Sequence, residues 1–317
     1  MYSRVIGTGT YLPEKILTNQ ELEEMVDTSD EWIRTRTGIE TRHIAAEDEA
    51  TSHLAEKAAS SAMEAAGLRP EDIDMVVVAT CTPDLVFPSV ACLLQERMGM
   101  TGAAFSVEAA CSGFVYALTV ADQFVRSGQI RRALVIGAET MSRLLDWTDR
   151  ETCVLFGDGA GAVILEAAED PGILYCDLGA DGQYRKLLYT DAGVSQLKPE
   201  GTAELRMKGN EVFKVAVRTL EAMVDKVLAE NDLEQGQIDW FVPHQANLRI
   251  IKATAKRLGL PMERVVLTVQ EHGNTSAASI PMALDTAVRD GRIKRGDLLL
   301  LEAFGGGFTW GSCLLRY

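Results

Sequence analysis

Three residues sit at points where strands give way to helices, and their side chains suit acyl chemistry: Cys111, His244 and Asn274. Residues 103–109 are short and apolar with a glycine upstream, which reads as a buried strand. From Ser112 onward Phe114, Val115, Leu118, Ala121 and Val125 recur at helical spacing, and Gly128 stops the pattern. Cys111 therefore falls at a strand-to-helix corner, at the positive end of a helix dipole. An ordinary thiol is only a few per cent thiolate at neutral pH, and a helix N-terminus shifts it toward the reactive anion. The small neighbours Ala109, Ala110, Ser112 and Gly113 leave room for a bulky substrate at the sulfur. Taken alone, Cys111 reads equally well as a buried structural cysteine. His244 directly follows the strand-like run 240–243, and ligands of α/β sheets bind at the carboxyl ends of strands. A lone histidine is more often structural; a cysteine, a histidine and an asparagine, each at such a corner, favour chemistry. A thiolate can accept an acyl group while two neutral donors stabilise an enolate or oxyanion.

The elements that must position these residues alternate. Helical patterns over 51–67, 88–98, 112–128, 210–228, 247–258 and 276–290 are interleaved with strands near 75–80, 133–137, 163–166, 240–243, 298–303 and 309–316. Alternation of this kind predicts α/β architecture with parallel sheets and helices on their faces. The stretch 171–202 reads as irregular and polar, with the junction between halves at 168–172. The two halves, 1–170 and 171–317, repeat one order. Ile73-Asp74 before a strand matches Ile238-Asp239, and Ser127-Gly-Gln-Ile130 matches Asp290-Gly-Arg-Ile293, 163 residues on. The same offset carries Cys111 onto Asn274, so the two corners are expected to face each other across a pseudo-twofold axis.

The bulk composition narrows the classes. A chain of 317 residues, 47% hydrophobic and 24% charged, suits a globular enzyme of two domains or one large α/β unit. No apolar run reaches the roughly 18 residues that span a bilayer, and residues 1–10 read as a first strand rather than a signal peptide; both point to the cytoplasm. The six cysteines contain no CxxC pair and are expected reduced, and four histidines without ligand spacing predict no metal site. A net charge of −15 argues against nucleic acid as partner.

The motifs Gly-Thr-Gly-Thr-Tyr-Leu-Pro13, Asp30-Glu-Trp-Ile-x-x-Arg-Thr-Gly-Ile39, Ala109-Ala-Cys-Ser-Gly-Phe114 and Phe156-Gly-Asp-Gly-Ala-Gly-Ala162 run through the first half. Met207-Lys-Gly-Asn-Glu-Val-Phe213, Pro243-His-Gln-Ala-Asn247, His272-Gly-Asn-Thr-Ser-Ala-Ala-Ser279 and Glu302-Ala-Phe-Gly-Gly-Gly-Phe-Thr-Trp-Gly311 continue through the second. Together they resemble the β-ketoacyl-acyl carrier protein synthase III family, condensing enzymes of the thiolase superfamily. The resemblance implies a thiolase-like fold of two duplicated α/β/α halves in five layers. It also implies acyl transfer from a short acyl-CoA, by default acetyl-CoA, to Cys111. Condensation with malonyl-acyl carrier protein would follow, releasing CO2 and starting fatty-acid synthesis without a cofactor.

On matching positions, the resemblance makes Cys111, His244 and Asn274 catalytic and gives the Cys111 and Gly306 amides the oxyanion hole. It puts CoA against Trp32, Arg36, Thr37, Arg150, Asn210, Phe213, Ala246 and Asn247. Carrier protein would meet Gln245, Ala246, Asn247, Leu248, Arg249, Lys214, Lys256 and Arg257. Of these, Arg249, Lys256 and Arg257 share one helix face with Lys252, a stripe that otherwise means only a solvated surface. The acyl pocket would be formed by Phe87 (from the partner subunit of a homodimer), Leu144, Phe156, Tyr189 and Leu205. A related Cys-His-Asn ketide synthase of secondary metabolism is the alternative enzyme; a non-catalytic acyl-CoA-binding protein is the alternative of another class. Gly157 to Ala162 resembles a dinucleotide loop but leads into a strand, so it reads as tight packing.

Overall fold

The computed structural model of the chain describes residues 1–196 and 203–317. The first half runs β1 (Tyr2–Tyr11), β2 (Lys15–Thr18), α1 (Asn19–Glu23), α2 (Asp30–Thr37), β3 (Thr41–Ile44) and α3 (Thr51–Ala66). It continues with β4 (Met75–Ala79), α4 (Val90–Met98), β5 (Ala103–Val107), α5 (Gly113–Arg126), β6 (Arg132–Thr140) and β7 (Asp158–Ala168). The second half opens with β8 (Ile173–Ala180), β9 (Leu188–Thr190), β10 (Leu205–Met207), α6 (Gly209–Glu230) and β11 (Trp240–Pro243). Then come α7 (Leu248–Leu258), α8 (Val269–His272), α9 (Ser279–Arg289), β12 (Leu298–Gly305) and β13 (Thr309–Arg316).

One sheet has the order β1-β7-β6-β4-β5 and the other β11-β12-β13-β8. Read from the other end, the second repeats the first strand for strand, β8-β13-β12-β11 against β1-β7-β6-β4. A parallel bridge from Phe241 to Val265 stands where β5 would pair. Side chains alternate along each central strand. Met75, Val77 and Ala79 join Leu299, Leu301 and Ala303 in a core shared with α5 and α9. Val76 and Val78 face α3 and α4, while Leu298 and Leu300 face α6 and α7. Strands buried on both faces explain why the apolar runs are continuous. The result is five layers, α3/α4, sheet, α5/α9, sheet, α6/α7, as the resemblance implies.

Two expectations need correction. Neither sheet is parallel throughout: β4 pairs parallel with β5 and β6, but β7 runs antiparallel to β6 and β1, and β13 antiparallel to β12 and β8. Only helical crossovers return a strand in parallel, and β12 turns directly into β13. The stretch 171–202 is not irregular either, since β8 and β9 lie within it; residues 197–202 of that stretch lie outside the described residues. Polar residues fit β8 because it is an edge strand, half-exposed along most of its length. The glycines of β7 do serve close packing. A Cβ on Gly161 would stand 2.5 Å from the Met282 backbone nitrogen, so α9 can lie directly on the sheet. Among the described residues no helix is long and apolar enough to cross a membrane.

Candidate active site

The two central helices begin alike. A 3₁₀ turn, Ala110–Ser112, opens α5, and another, Ser276–Ala278, opens α9. Each starts on a non-glycine residue in the left-handed region, Ala110 at φ 44° and Ser276 at φ 50°. Such conformations are costly and collect at functional sites. The corners pack against each other as expected: Gly113, opening α5, leaves its absent Cβ position 3.6 Å from the Ala277 Cβ. Aligned on these turns, the partner of Cys111 is Ala277, not Asn274. The 163-residue offset holds only at the helix ends, because α9 has 11 residues and α5 has 14. Asn274 instead precedes its corner.

Cys111, His244 and Asn274 line one cavity of about 610 Å³, and each is buried, 7%, 6% and 6% exposed respectively. Asn274 is held from both sides. Its N–H donates to Leu155 O at 2.9 Å, and its carbonyl accepts Gly157 N–H at 3.1 Å. Its side-chain Oδ1 accepts the Ser276 amide at 2.9 Å, which leaves Nδ2 as a free donor. The His244 amide donates to Glu302 O at 2.8 Å, tying it to β12. Its Nδ1 lies 2.6 Å from Ser279 Oγ. Burial pushes the ring down to about 3, so His244 is neutral at physiological pH.

The expectation of an activated thiolate fails for the resting protein. Burial pushes the Cys111 thiol up to about 12, against a smaller opposing hydrogen bond with Ser276. That rise from an ordinary value near 9 corresponds to about 4 kcal/mol, more than the roughly 1–2 kcal/mol a helix terminus supplies. At physiological pH the unliganded Cys111 thiol is therefore neutral.

The Gly305–Gly307 turn closes over the cysteine. Ser112 and Thr309 hydroxyls pair at 2.7 Å, and Thr309 Oγ1 donates to Ala109 O at 3.0 Å and Gly306 O at 3.2 Å. Behind the corner, Glu139 is fully buried. Its carboxylate accepts from Thr82 Oγ at 2.6 Å, Ser276 Oγ at 3.0 Å and the Cys81 amide at 3.1 Å, while burial raises its pKa. Glu302, its counterpart within β12, lines the cavity with both carboxylate oxygens unpartnered among the described residues. Burial raises its pKa as well. Sequence reasoning gave neither glutamate a role, although an acidic residue ending an apolar strand was a readable signal in both halves.

Other expected contacts divide. Trp32, Arg36, Thr37, Arg150, Asn210, Phe213, Ala246, Asn247 and Arg249 all line the cavity. The Arg150 guanidinium lies 4.9 Å over the Trp32 ring, and that of Arg249 lies 4.9 Å over Phe213. The Thr37 hydroxyl is spent at the C-terminal end of α2, donating to Ile33 O and accepting the Ile39 amide just beyond it. Gln245 is a correction: fully buried, its amide bonds Pro243 O, Val266 O and the Thr268 and Val269 amides, so no partner protein can reach it. Leu248 is half-buried against Gly38. Lys214 and Lys256 are exposed, whereas Arg257 is ion-paired to Asp225 of α6.

Phe156, Leu205 and Leu144 pack together with Cys81, Leu188 and Met207. Tyr189 does not share that face. In the β9–β10 hairpin Leu188 pairs with Met207 and lines the cavity, and the next residue necessarily points the other way, leaving Tyr189 44% exposed. Phe87 is 82% exposed. Gly306 stands beside the Cys111 corner, with its absent Cβ position 3.7 Å from that of Ala110. No set of His, Cys, Asp and Glu among the described residues is arranged to hold a metal ion.

Comparison with known proteins supplies the family. Two family models match, 3-oxoacyl-[acyl-carrier-protein] synthase III over residues 105–182 and its C-terminal region over 228–317. A β-ketoacyl-[acyl-carrier-protein] synthase III of Xanthomonas campestris pv. campestris is 64% identical, covering 100% of this chain and 99% of its own. The chain belongs to the β-ketoacyl-acyl carrier protein synthase III family. It is thus a condensing enzyme of acyltransferase type. The crystal structure of the Aquifex aeolicus synthase III matches with a TM-score of 0.94 at 50% identity, covering 99% of this chain and 100% of that one. The priming β-ketosynthase of the R1128 polyketide pathway matches with a TM-score of 0.95 at 38% identity, over 99% of this chain and 96% of its own.

Proposed function

We propose that this synthase condenses a short acyl-CoA, acetyl-CoA by default, with malonyl-acyl carrier protein, and that Cys111, His244 and Asn274 carry the reaction. The observation that carries this is the meeting, in one cavity, of a thiol and two neutral donors whose other polar atoms are already bonded. The Cys111 sulfur adds to the thioester carbonyl to give a tetrahedral oxyanion, the CoA sulfur then leaves as the carbonyl re-forms, and the cysteine's proton ends on the CoA thiol. The amides of Cys111 and Gly306 stabilise the tetrahedral oxyanion. Malonyl thioester then loses CO2. His244 Nε2 and Asn274 Nδ2 hold the enolate oxygen, and the enolate carbon attacks the acyl carbonyl. The Cys111 thiolate leaves as the ketone carbonyl re-forms and takes a proton from water, the one proton that the overall condensation consumes. No cofactor enters.

The apolar walls at Phe213, Ala216, Leu220 and Ile250 suit a pantetheine arm. Trp32 and Arg150 suit adenine at the mouth, provided Arg150 lifts, since 4.9 Å leaves no room for a stacked base. The halves 1–170 and 171–317 serve as the two structural units, each supplying one sheet. A homodimer through edge strand β5 is favoured by that strand's half-exposure and by the exposed Leu85, Val86 and Phe87 in the segment that follows β4, the strand paired with β5. A cytoplasmic setting follows from the substrates. Identity of 64% to a synthase III against 38% to a polyketide priming enzyme favours fatty-acid initiation.

The test is intact mass. Acetyl-CoA adds one acetyl group, malonyl-acyl carrier protein removes it as acetoacetyl-carrier protein, and Cys111→Ala takes up none. An adduct only with longer or branched acyl-CoA moves the primer; no adduct with any acyl-CoA sinks the reading. Carrier protein docks on Arg249, Lys214 and Lys256, with Arg257 contributing less because Asp225 neutralises it. Arg249→Glu raises KM for carrier protein about tenfold at low salt, and the difference narrows as salt rises. A salt-independent change would remove the electrostatic role.

A further inference from the structure

Neutral imidazole carries its proton on one nitrogen or the other, and only the Nε2–H form offers the cavity a donor. The atom facing Nδ1 is the hydroxyl of Ser279, the first residue of α9, 2% exposed. That oxygen is 2.6 Å from Nδ1 and also accepts the Gln245 amide at 3.3 Å. The amide is not free to turn away. The Gln245 side chain anchors its own segment to Pro243 O at 2.8 Å and Val266 O at 3.0 Å, and accepts the Thr268 and Val269 amides at 2.9 and 3.1 Å. A hydroxyl accepting an N–H has its proton left to give, and Nδ1 is the acceptor beside it.

We propose that Ser279 is a positioning residue for the condensation step: its hydroxyl donates to His244 Nδ1 and so fixes the proton on Nε2. This rests on the role given to His244 above. It extends that role to a second pair of matched devices, because the Ser276 amide does for Asn274 what the Ser279 hydroxyl does for His244. Both lie at the start of α9, so one helix terminus orients both donors. Without the Ser279 hydroxyl, the ring can turn and carry its proton on either nitrogen.

The experiment uses the full-length protein with 15N-labelled histidine. The chain has four histidines, and His244→Ala identifies the His244 ring signals by their loss. The wild type is expected to show a bare Nδ1 and a protonated Nε2 for His244. Ser279→Ala should acylate Cys111 at a rate within about twofold of wild type, condense about 10- to 100-fold more slowly, and show averaged ring signals. Ser279→Thr should restore both the signals and most of the rate. A protonated Nδ1 in the wild type overturns the proposal, and this spectrum decides even where the alanine variant fails to fold. An unaltered tautomer and rate in Ser279→Ala overturn it equally. Slow condensation by His244→Ala beside normal condensation by Ser279→Ala sinks only the role of Ser279; normal condensation by His244→Ala sinks the reading beneath it.

Discussion

His244→Ala and Asn274→Ala each still take an acetyl group onto Cys111, while condensation falls by about 100- to 1,000-fold, the usual cost of one oxyanion donor. Geometry separates the two steps. In the proposed mechanism the tetrahedral oxyanion is met by the backbone amides of Cys111 and Gly306, whereas the enolate needs the side-chain donors of His244 and Asn274. Those donors are held so that they can do little else: Asn274 Oδ1 is committed to Ser276 N–H, and the His244 amide and Nδ1 are committed to Glu302 O and Ser279. The pH profile sharpens the prediction. With its pKa pushed down to about 3, the His244 ring stays neutral above that pH. Its donor capacity is therefore constant from pH 5 to 8, and the condensation rate shows no imidazole inflection near 6.5. Mass spectrometry of the acyl-enzyme and release of labelled CO2 from malonyl-carrier protein measure the two steps separately. Unchanged condensation in either variant removes that residue from the mechanism, and an inflection near 6.5 replaces the neutral donor with a titrating acid.

Much of this site was legible before any coordinates, and the reasons are local. Cys111 and His244 stand directly after apolar runs, so periodicity alone locates them at strand ends. Layered α/β/α halves follow from runs such as Met75–Ala79, where every side chain is buried, and from the two halves sharing one order, while their stacking into five layers comes with the family resemblance. Illegible features depend on what lies opposite. The thiol pKa is set by the whole cavity wall, and the dipole argument considered only the helix behind it. Tyr189 against Leu188 is a question of strand register, invisible where a three-residue strand shows no alternation. The resemblance puts Gln245 at the carrier-protein contact, but the loop Val266–Val269 folds over it and supplies three of its four buried side-chain partners, Pro243 O being the fourth. Ser279 belonged to a recognised motif, yet its contact spans 35 residues to reach the ring it faces. Pairing Cys111 with Asn274 failed because a repeat offset survives only until one helix loses a turn.

Gly305→Ala abolishes acylation of Cys111 for practical purposes, by about 1,000-fold or more, so this single methyl group already stops the first step. The Cβ would stand 2.7 Å from the Cys111 backbone nitrogen, 3.1 Å from that of Ser112 and 3.2 Å from the Cys111 Cα. All three are backbone atoms, so no rotamer change relieves the contact. Either the end of β12 lifts or the cysteine corner shifts. The corner is the less yielding of the two, because Ala110 is already in the left-handed region and Ser112 is tied to Ala109 and Thr309. A lifted β12 takes the Gly306 amide with it, and with it the proposed second oxyanion donor. Overpacking of this kind costs about 1–3 kcal/mol of stability, small enough for a fold of this size to survive and for the thermal midpoint to be measured beside the rate. Gly306→Ala supplies the contrast: its nearest neighbours are Leu188 O at 3.2 Å and the movable Leu188 side chain at 3.6 Å, so it should lose no more than about tenfold. The rate of mass increase with acetyl-CoA measures both. Normal acylation by folded Gly305→Ala would mean that the glycine turn is not the wall against which the thioester carbonyl is polarised, and the oxyanion would then have to be met from the Cys111 amide alone.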